Sequence, residues 1–416
     1  MTSEPTAGVL IVGGGQAAVQ LAISLRHLGA DEPITILSEE QRPPYQRPPL
    51  SKAYLLGAVN SESLEFRSEE FYARERIAVR TEHRVLDVRL PADGEPGVAT
   101  CDNGTTLEFS RLALATGSRP RRLTVPGAEL DGVCYLRDLA DATELKERMQ
   151  DAERVLVVGG GFIGLEAAAV ARSRGKDVTV VEASDRLVGR VVSPLVSDFY
   201  REAHERRGTR LLLGASIERI EGRAGRVAAA HLDGGERVAI ELIVVGIGVE
   251  PRVELARQLG LEVDNGIVVD EFARTSDPRV VAVGDCAATP HPSADGLVRL
   301  ESVGHAVDHA KCAAAALTGA PVSYDAVPWF WSDQDTLKLQ IAGLSGGFDQ
   351  TVLRGDPGEE RFSVFYFRDQ RLIAVNSINS PRDYMAVRRA LTTGHRITPE
   401  AAADADNPLR PAPADL

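Results

Sequence analysis

Two stretches of sequence decide the fold of this chain: Val9-Leu-Ile-Val-Gly-Gly-Gly-Gln-Ala-Ala18 and Val155-Leu-Val-Val-Gly-Gly-Gly-Phe-Ile-Gly164. In each, a short apolar run suited to a buried parallel strand leads through a glycine turn into an Ala-rich stretch with helical periodicity. A G-x-G-x-x-G or G-x-G-x-x-A turn between a strand and a helix predicts binding of a dinucleotide diphosphate. An acidic residue about 20 residues further along completes the pattern. That residue is Glu39 in the first copy and Glu182 in the second.

The three small positions of each copy have different tasks. The first glycine permits the tight turn, the second lets the backbone approach the diphosphate, and the third lets the helix pack on the strand. The diphosphate then binds the free N–H groups at the positive end of the helix dipole. The positions, in order, are Gly13, Gly15 and Ala18 in the first copy and Gly159, Gly161 and Gly164 in the second.

The two acidic residues predict contacts with ribose hydroxyls. A carboxylate at Glu182 would repel a 2′-phosphate, which predicts NADH rather than NADPH as the second dinucleotide. Arg186 and Arg190 follow closely in sequence and weaken that repulsion. Two dinucleotide sites in one chain predict that electrons pass between two dinucleotides.

Composition and charge narrow the class of protein. A chain of 416 residues fits two or three domains, and 44% hydrophobic with 26% charged residues is typical of a soluble globular protein. The net charge of −13 argues against nucleic acid as a partner, since phosphate binding needs a basic surface. No apolar run approaches the roughly 20 residues of a membrane-spanning helix. Residues 1–8 lack the basic start of a signal peptide, so we expect a cytoplasmic protein with no membrane partner.

The four cysteines exclude several kinds of redox centre. Cys101, Cys134, Cys286 and Cys312 form no C-x-x-C pair, which argues against a local dithiol, a cysteine-ligated iron–sulfur cluster or another metal site. The disulfide-reducing branch of the flavoenzymes with two dinucleotides is therefore excluded.

A second anchor for a flavin nucleotide follows a later apolar strand. Asp285, after Gly284, can hydrogen-bond a ribityl hydroxyl or a phosphate of FAD, although Gly-Asp is also common in ordinary turns. Helical periodicity over 17–27 and 303–317 predicts helices there.

Eight motifs in the same order carry a family resemblance over about residues 8–345. They are Val12-Gly-Gly-Gly-Gln-Ala-Ala18, Pro44-Tyr-Gln-Arg-Pro-Pro-Leu-Ser-Lys52, Ala115-Thr-Gly-Ser-Arg-Pro120, Gly159-Gly-Gly-Phe-Ile-Gly-Leu-Glu166, Gly246-Ile-Gly-Val-Glu-Pro251, Gly284-Asp-Cys-Ala287, Arg299-Leu-Glu-Ser-Val303 and Val327-Pro-Trp-Phe-Trp-Ser-Asp-Gln334. The chain resembles the ferredoxin reductases of the putidaredoxin reductase type, among the glutathione-reductase-like flavoproteins.

The resemblance implies FAD in the first domain, NADH in the second, and the flavin between them. The FAD residues that it implies, with those found above, are Gly13, Gly15, Gln16, Ala17, Ala18, Glu39, Arg47, Pro48, Lys52, Ala115, Thr116, Gly117, Arg119, Asp285, Glu301, Ser302, Val303, Trp329 and Trp331. The NAD residues are Gly159, Gly161, Phe162, Ile163, Gly164, Glu182, Arg190, Gly246, Ile247 and Gly248.

The resemblance also implies a catalytic pair, Lys52 and Glu166. Lys52 would lie next to flavin N5, paired with Glu166, where a cation stabilises the developing anionic flavin and the carboxylate offsets its burial. The alternative is that both are ordinary surface charges. Trp329 and Trp331 are expected at the flavin edge, or else in the core of the C-terminal module. We predict that their rings point to opposite faces of a strand.

The predicted fold class is α/β. It combines two Rossmann-like dinucleotide-binding domains, each with three layers containing ββα elements, and a C-terminal α+β domain. The predicted limits are 1–112 and 246–326 for a discontinuous FAD domain and 113–245 for the NAD domain. The C-terminal domain covers 327–400, and 401–416 form a disordered tail.

The sequence thus predicts an FAD-dependent NADH:ferredoxin oxidoreductase. A hydride passes from NADH to FAD, and single electrons then pass to a separate [2Fe–2S] ferredoxin that supplies a cytochrome P450. The reductase component of an aromatic-ring dioxygenase, or a rubredoxin reductase, is the alternative within the class, and an NADH-binding signalling flavoprotein is the alternative outside it. We expect a monomer or weak dimer that offers the ferredoxin a local basic surface, for which Arg67, Lys311, Lys338 and Arg382 are candidates.

Overall fold

The computed structural model describes residues 8–91 and 95–413. The predicted absence of a signal peptide rests on residues 1–8, of which all but Gly8 lie outside the described residues. Within the described ranges, no helix is both long enough and apolar enough to cross a membrane.

The elements are numbered in chain order. The strands are β1 (Val9–Val12), β2 (Ile34–Leu37), β3 (Ile77–Arg80), β4 (Val85–Arg89), β5 (Gly97–Cys101), β6 (Thr106–Phe109), β7 (Arg111–Leu114), β8 (Ser118–Pro120), β9 (Val133–Tyr135), β10 (Arg154–Val158), β11 (Asp177–Glu182), β12 (Arg210–Leu213), β13 (Ile217–Arg223), β14 (Arg226–Leu232), β15 (Arg237–Ala239), β16 (Leu242–Val245), β17 (Val249–Pro251), β18 (Ile267–Val268), β19 (Val280–Ala282), β20 (Ala287–Pro290), β21 (Leu297–Val298), β22 (Trp329–Gln334), β23 (Leu337–Gly343), β24 (Gln350–Asp356), β25 (Arg361–Arg368) and β26 (Arg371–Ile378). The helices are α1 (Gln16–His27), α2 (Ala53–Leu56), α3 (Glu69–Arg74), α4 (Leu139–Asp151), α5 (Phe162–Ser173), α6 (Pro194–Arg206), α7 (Glu254–Gln258), α8 (Val303–Leu317), α9 (Pro381–Thr393) and α10 (Pro399–Ala403).

Unit 1 is a compact body built from the described residues of 1–46, 62–119 and 250–328. Its central sheet has the order β19-β7-β1-β2-β3, and all neighbouring strands run parallel. Because the carboxyl ends of parallel strands meet at one edge, the turn after β1 lies beside the residue after β7. The N–H of Ala115 donates to the carbonyl of Val12 across that edge at 2.9 Å.

The alternating side chains of β1 produce the three layers of unit 1. Val9 and Ile11 are buried among apolar residues of α1 and α8, whereas Leu10 and Val12 pack with residues of the antiparallel sheet β4-β5-β6. Because both faces of this sheet are covered, β1 must be apolar at every position.

Unit 2 comprises the described residues of 47–61, 120–249 and 329–416 and repeats this design. Its parallel sheet has the order β12-β11-β10-β16-β9. Val155 and Val157 of β10 pack with α5 and α6, and Leu156 and Val158 pack with β13-β14-β15. The predicted three-layer α/β arrangement is confirmed in both units.

An antiparallel sheet of order β22-β23-β26-β25-β24 forms the C-terminal part of unit 2. On one face Phe362 lies edge-on against Phe199 of α6, with ring centroids 4.8 Å apart. On the other face Phe365 and Phe367 pack with α9 and α10. The described residues form two compact units, and the domain limits drawn from the sequence stay a prediction.

The segment predicted as a disordered tail makes specific contacts over much of its length. Residues up to 403 continue α10, and Arg396 and Ala412 exchange backbone hydrogen bonds of 2.7 and 3.0 Å. The guanidinium of Arg354, only 8% exposed, donates to the carbonyl of Asn407 at 2.6 Å. A buried cation that needs acceptors thus fixes a polar segment, which composition alone does not reveal. Residues 414–416 lie outside the described residues.

Two imidazoles are buried together in α8 of unit 1. The rings of His305 and His309 stack with centroids 4.7 Å apart, and His305 Nδ1 lies 2.7 Å from the hydroxyl of Tyr324. Neither ring nitrogen of His309 has a hydrogen-bond partner among the described residues. Burial lowers the pKa of His305 to about 4 and the pKa of His309 well below its usual value.

This buried pair predicts a loss of stability in acid. Because the pKa values are lowered in the folded state, the stability is complete above the unfolded-state pKa of about 6.5 and falls as the pH drops from there toward 4. Replacing His309 by Leu removes one of the two groups that cannot be protonated while folded. We expect the melting temperature of His309→Leu to fall less than that of the wild type between pH 7 and pH 5. The exposed His27 provides the control His27→Asn, which should follow the wild type, and parallel curves for all three proteins would contradict the assignment.

Candidate functional site

The first glycine turn joins β1 to α1 in unit 1. Gly13 has φ +121°, and a Cβ there would lie 2.2 Å from the carbonyl oxygen of Ala115, so only glycine fits. Gly15 precedes the first helical residue, and a Cβ built on it would meet no atom within 4 Å. No side chain caps this helix end. The open space in front of free N–H groups fits the diphosphate of FAD.

Asp285 and the segment 299–303 lie within unit 1 with this turn. The hydroxyl of Ser118 donates to the Asp285 carboxylate at 3.0 Å, and Arg299 Nη1 donates to the Asp285 carbonyl at 3.2 Å. Arg299 also pairs with Glu301 at 2.7 Å. Ser302 caps α8 by accepting the N–H of His305 at 3.1 Å, and Val303 is the first residue of that helix.

Arg299 was not among the residues predicted for the site. Its side chain is only 10% exposed, and its Nε has no hydrogen-bond partner among the described residues. Arg299 begins the quoted motif Arg299-Leu-Glu-Ser-Val303. Its position two residues before Glu301 is the sequence signal that could have identified it. Through Asp285 and Glu301 it connects two positions predicted to bind FAD.

Charged partners surround two of the predicted FAD residues. The Glu39 carboxylate pairs with Arg252 and lies 3.9 Å from Arg84 Nε. Arg119 pairs with Glu250 at 2.6 Å and also with Glu254. These partners are distant in sequence, so the pattern of the motifs did not predict them.

Thr116 and Gly117, predicted for FAD, follow β7 and bond to the backbone of Arg252. Thr116 donates its hydroxyl to the carbonyl of Arg252 at 2.7 Å, and the carbonyl of Gly117 accepts the Arg252 N–H at 3.0 Å. Gln16, Ala17 and Ala18 form the first turn of α1, and the latter two side chains are buried.

The second glycine turn joins β10 to α5 in unit 2. Gly159 has φ +103°, and a Cβ there would lie 2.4 Å from the carbonyl oxygen of Gly246. A Cβ on Gly164 would lie 2.1 Å from the carbonyl of Gly159, which explains why the helix needs glycine where it crosses the strand end. A Cβ on Gly161 would meet only the Gly246 oxygen, at 4.0 Å. The turn therefore leaves its open space at the helix start, as the first turn does.

A cavity of about 610 Å³ opens in front of this turn. Glu182 lines it, and its carboxylate accepts the N–H of Gly160 at 2.6 Å and the N–H of Ser184 at 2.7 Å. Among the two arginines at the wall, Arg186 donates to backbone carbonyls of Gly189 and Val192, while Arg190 is exposed. The other residues predicted for NAD that line this cavity are Gly159, Gly161, Phe162, Gly246, Ile247 and Gly248. The size and the open helix end fit a nicotinamide dinucleotide.

Ile163 does not line this cavity but is 44% exposed in the first turn of α5. It follows Phe162, whose ring contacts Phe330 with centroids 4.7 Å apart.

Lys52 and Glu166 meet in unit 2. Lys52 Nζ lies 2.7 Å from Glu166 Oε2, with the lysine side chain 16% and the glutamate 1% exposed. Arg47 and Pro48 lead into the short turn that ends at Lys52, and Arg47 Nη1 donates to the carbonyl of Arg137 at 3.0 Å. The pair is thus a buried ion pair rather than two surface charges. Its role beside the flavin stays a prediction.

The two tryptophans stack on each other. The rings of Trp329 and Trp331 have centroids 5.5 Å apart at 19°, and the Arg388 guanidinium lies 4.8 Å from the Trp329 ring. The prediction that they point to opposite faces is wrong, because side chains alternate along a strand and residues two apart share a face. The half-exposed stack forms a flat aromatic surface on β22.

All four cysteines lie within the described residues, and each is buried and free of a disulfide. Burial raises the pKa of the thiols of Cys134 and Cys312 to about 12. It also raises the pKa of Cys101 and Cys286. None of them is disposed to act as a thiolate nucleophile at neutral pH.

The family model described as pyridine nucleotide-disulphide oxidoreductase matches residues 7–310, and the model described as reductase C-terminal matches residues 329–412. The chain therefore belongs to the pyridine nucleotide-disulphide oxidoreductase family. It is an oxidoreductase with FAD and NAD(P)H as its cofactors.

Within that family, the chain is similar to rhodocoxin reductase from Rhodococcus erythropolis, with 47% identity over 402 residues, 97% of this chain and 93% of that protein. It is also similar to putidaredoxin reductase CamA from Pseudomonas putida, with 37% identity over 407 residues. The aligned region covers 97% of this chain and 96% of that protein. The crystal structure of the ferredoxin reductase for the CYP199A2 system from Rhodopseudomonas palustris matches with a TM-score of 0.92 and 42% identity, covering 96% of this chain and 98% of that chain. The resemblance read from the motifs is confirmed.

The two positions of the second turn allow a matched test of the NAD site. Gly161→Ala places a methyl group in open space, so we expect an unchanged melting temperature and roughly tenfold weaker NADH binding, because the methyl group takes space needed by the diphosphate. Gly164→Ala forces a contact of 2.1 Å with the Gly159 carbonyl and should lower the melting temperature instead. Calorimetric titration with NADH and thermal unfolding separate the two effects. Wild-type NADH affinity in Gly161→Ala would contradict the assignment of the site.

The buried ion pair predicts a difference between single and double variants. Lys52→Met leaves the Glu166 carboxylate buried without its cation, so we expect a loss of about 3–5 kcal/mol in the free energy of unfolding. Lys52→Met/Glu166→Gln removes both charges and should recover most of that loss. Urea unfolding of the two proteins measures the difference. Equal losses would show that the pair is not desolvated as the structure indicates.

Proposed function

We propose that this protein is a cytoplasmic NADH-dependent ferredoxin reductase. NADH is the electron donor, and a separate [2Fe–2S] ferredoxin that supplies a cytochrome P450 is the acceptor. The observation that carries this proposal is the presence, in one chain, of two glycine turns with open helix starts, together with four buried and unpaired cysteines. Two dinucleotides can exchange electrons, but no internal dithiol is available to receive them, so the acceptor is a separate protein.

The names of the relatives support this acceptor. Rhodocoxin reductase and putidaredoxin reductase are named for redox partner proteins, and the matching crystal structure is of a ferredoxin reductase. These matches span nearly the whole chain, including the C-terminal sheet. A ferredoxin as the acceptor therefore agrees with the complete architecture and not with the dinucleotide turns alone.

FAD, when bound, accepts a hydride from the nicotinamide and gives up its electrons one at a time. For unit 1 we assign the diphosphate to the start of α1 at Gly15 and the ribityl chain to Asp285, whose carboxylate Ser118 orients. Arg299 would hold Asp285 and Glu301 in place from the buried side.

Lys52 acts in this proposal as the cation beside flavin N5. An ammonium there stabilises negative charge that develops during hydride transfer. Glu166 keeps that ammonium in one position through a contact of 2.7 Å, and neither residue needs to exchange a proton. The stacked Trp329 and Trp331 are assigned to the flavin edge, where they would contact the cofactor.

The preference for NADH follows from the environment of Glu182. Its carboxylate is fixed in the cavity by two backbone N–H groups, so it cannot move away from a 2′-phosphate. Arg186 uses N–H groups of both Nη atoms on backbone carbonyls, which leaves fewer donors for a phosphate. Arg190 is the exposed cation of the wall and is assigned to the diphosphate of NADH.

Two of the basic residues considered for ferredoxin docking already have partners. Lys311 pairs with Asp308 at 2.8 Å, and the guanidinium of Arg67 lies 5.3 Å from the Phe71 ring. Because exposed pairs of this kind contribute little, they can be exchanged for contacts with an acidic protein.

Reduction assays with defined acceptors test the proposed function. The purified protein should show a flavin spectrum, and its kcat/KM for NADH should exceed that for NADPH. Cytochrome c reduction should depend strongly on an added [2Fe–2S] ferredoxin from the same genome. Equal rates with rubredoxin would favour the rubredoxin reductase alternative, and rapid peroxide formation without any acceptor would indicate an oxidase.

A further inference from the structure

The carboxylate of Glu166 accepts three hydrogen bonds, although it is almost completely buried. Ser51 Oγ donates at 2.5 Å and Lys52 Nζ at 2.7 Å, both to Oε2, and Ser332 Oγ donates to Oε1 at 2.6 Å. Ser51 and Lys52 belong to the loop expected to contact the flavin, but Ser332 lies on β22. The third donor therefore connects the ion pair to the C-terminal sheet.

A chain of buried polar groups continues from Ser332. Gln334 Nε2 donates to Ser332 Oγ at 3.3 Å, and Gln334 Oε1 lies 2.8 Å from Nε2 of His204 on α6. Ser332, Gln334 and His204 are 0%, 1% and 3% exposed. No surface water competes for these hydrogen bonds, so each group must satisfy its partners within the chain.

The orientation of the Gln334 amide sets the direction of every bond. The Gln334 carbonyl oxygen can only accept, so His204 carries its proton on Nε2. The Gln334 amide then presents its N–H to Ser332, which occupies a lone pair of the serine oxygen. Ser332 is left to donate its own proton to Glu166. The reverse order would point the Ser332 proton at Gln334 and would remove one donor from the carboxylate.

We propose that Ser332, Gln334 and His204 are positioning residues that keep Glu166 supplied with its third donor and thereby keep the positive charge of Lys52 available to the flavin. The proposal rests on the proposed function, in which Lys52 is the cation next to flavin N5. Without the third donor, the carboxylate binds the Lys52 ammonium more strongly, and the positive charge is less available to the flavin.

Other charges face this chain. Arg207 and Asp335 lie near His204, and burial lowers the pKa of the His204 imidazole. The buried hydroxyl of Tyr200, on α6, is near Glu166 and has no hydrogen-bond partner among the described residues. A neutral His204 has one N–H, and the hydrogen bond to Gln334 places that proton on Nε2.

The first test measures the tautomer of His204 in the complete holoprotein. Two-bond ¹⁵N–¹H correlation spectra of ¹⁵N-histidine-labelled protein distinguish Nε2–H from Nδ1–H, and His204→Gln identifies the signal. The expected result is Nε2–H at neutral pH. Nδ1–H would mean that the hydrogen bonds from His204 to Ser332 point in the opposite direction. The proposal would then be overturned without any measurement of activity.

The second test compares two substitutions of Gln334. Gln334→Glu is close in shape but offers only acceptors to Ser332, so it draws the serine proton away from Glu166. Gln334→Leu removes the amide and leaves Ser332 no acceptor but Glu166. We expect a more negative flavin midpoint potential and roughly tenfold slower reduction by NADH in Gln334→Glu, with unchanged NADH affinity. Gln334→Leu loses the N–H that orients Ser332 but adds no competing acceptor, so its shift should have the same sign and be smaller than that of Gln334→Glu. The opposite order would indicate a role in packing and would overturn the proposal.

The variant Ser332→Ala removes the third donor of Glu166 without adding a charge. It therefore distinguishes loss of this donor from a direct effect of the carboxylate in Gln334→Glu. Alone it should reproduce the shift in midpoint potential, and in Ser332→Ala/Gln334→Glu the second substitution should add nothing. A fully additive double variant would overturn the proposal. A wild-type protein that reduces no ferredoxin would contradict the proposed function instead, and it would leave the tautomer and the midpoint potentials as separate results.

Discussion

The structure depends on two places where one backbone passes another with no room for a side chain. At Gly13 and at Gly159 a Cβ would lie 2.2 and 2.4 Å from the carbonyl oxygen of the residue that follows the neighbouring strand. Both glycines also have positive φ, so two separate constraints require glycine there. This close approach lets each helix start directly above the end of its sheet. The open helix starts at Gly15 and Gly161 result from that geometry.

The parts of the fold that local sequence controls were predictable. Helical periodicity indicated a helix over 303–317, and α8 covers Val303–Leu317. The strand before each glycine turn was equally clear, because a run that is apolar at every position needs cover on both faces. The Lys52–Glu166 pair, in contrast, joins positions 114 residues apart and was predicted only through the family resemblance.

Contacts that depend on tertiary structure were not predictable from the motifs. Arg119 and Glu39 hydrogen-bond to Glu250 and Arg252, more than a hundred residues away in sequence, and nothing near either residue indicates these partners. In residues 404–413, the carbonyls of Asp404 and Asn407 accept from the buried Arg354, and Ala412 pairs with the backbone of Arg396. The stacking of Trp329 and Trp331, however, was predictable from strand geometry. Successive side chains of a strand point to opposite faces, so residues two apart share a face.

The burial of the four thiols has a consequence for survival in air. Reduced flavins pass electrons to oxygen and form peroxide, and peroxide attacks thiolates much faster than thiols. With a pKa of about 12, Cys134 and Cys312 are almost wholly protonated at neutral pH. Cys101 and Cys286 are buried as well, and their pKa values are also raised. If the flavin of this enzyme passed electrons to oxygen, the peroxide formed would meet four buried thiols and few thiolates.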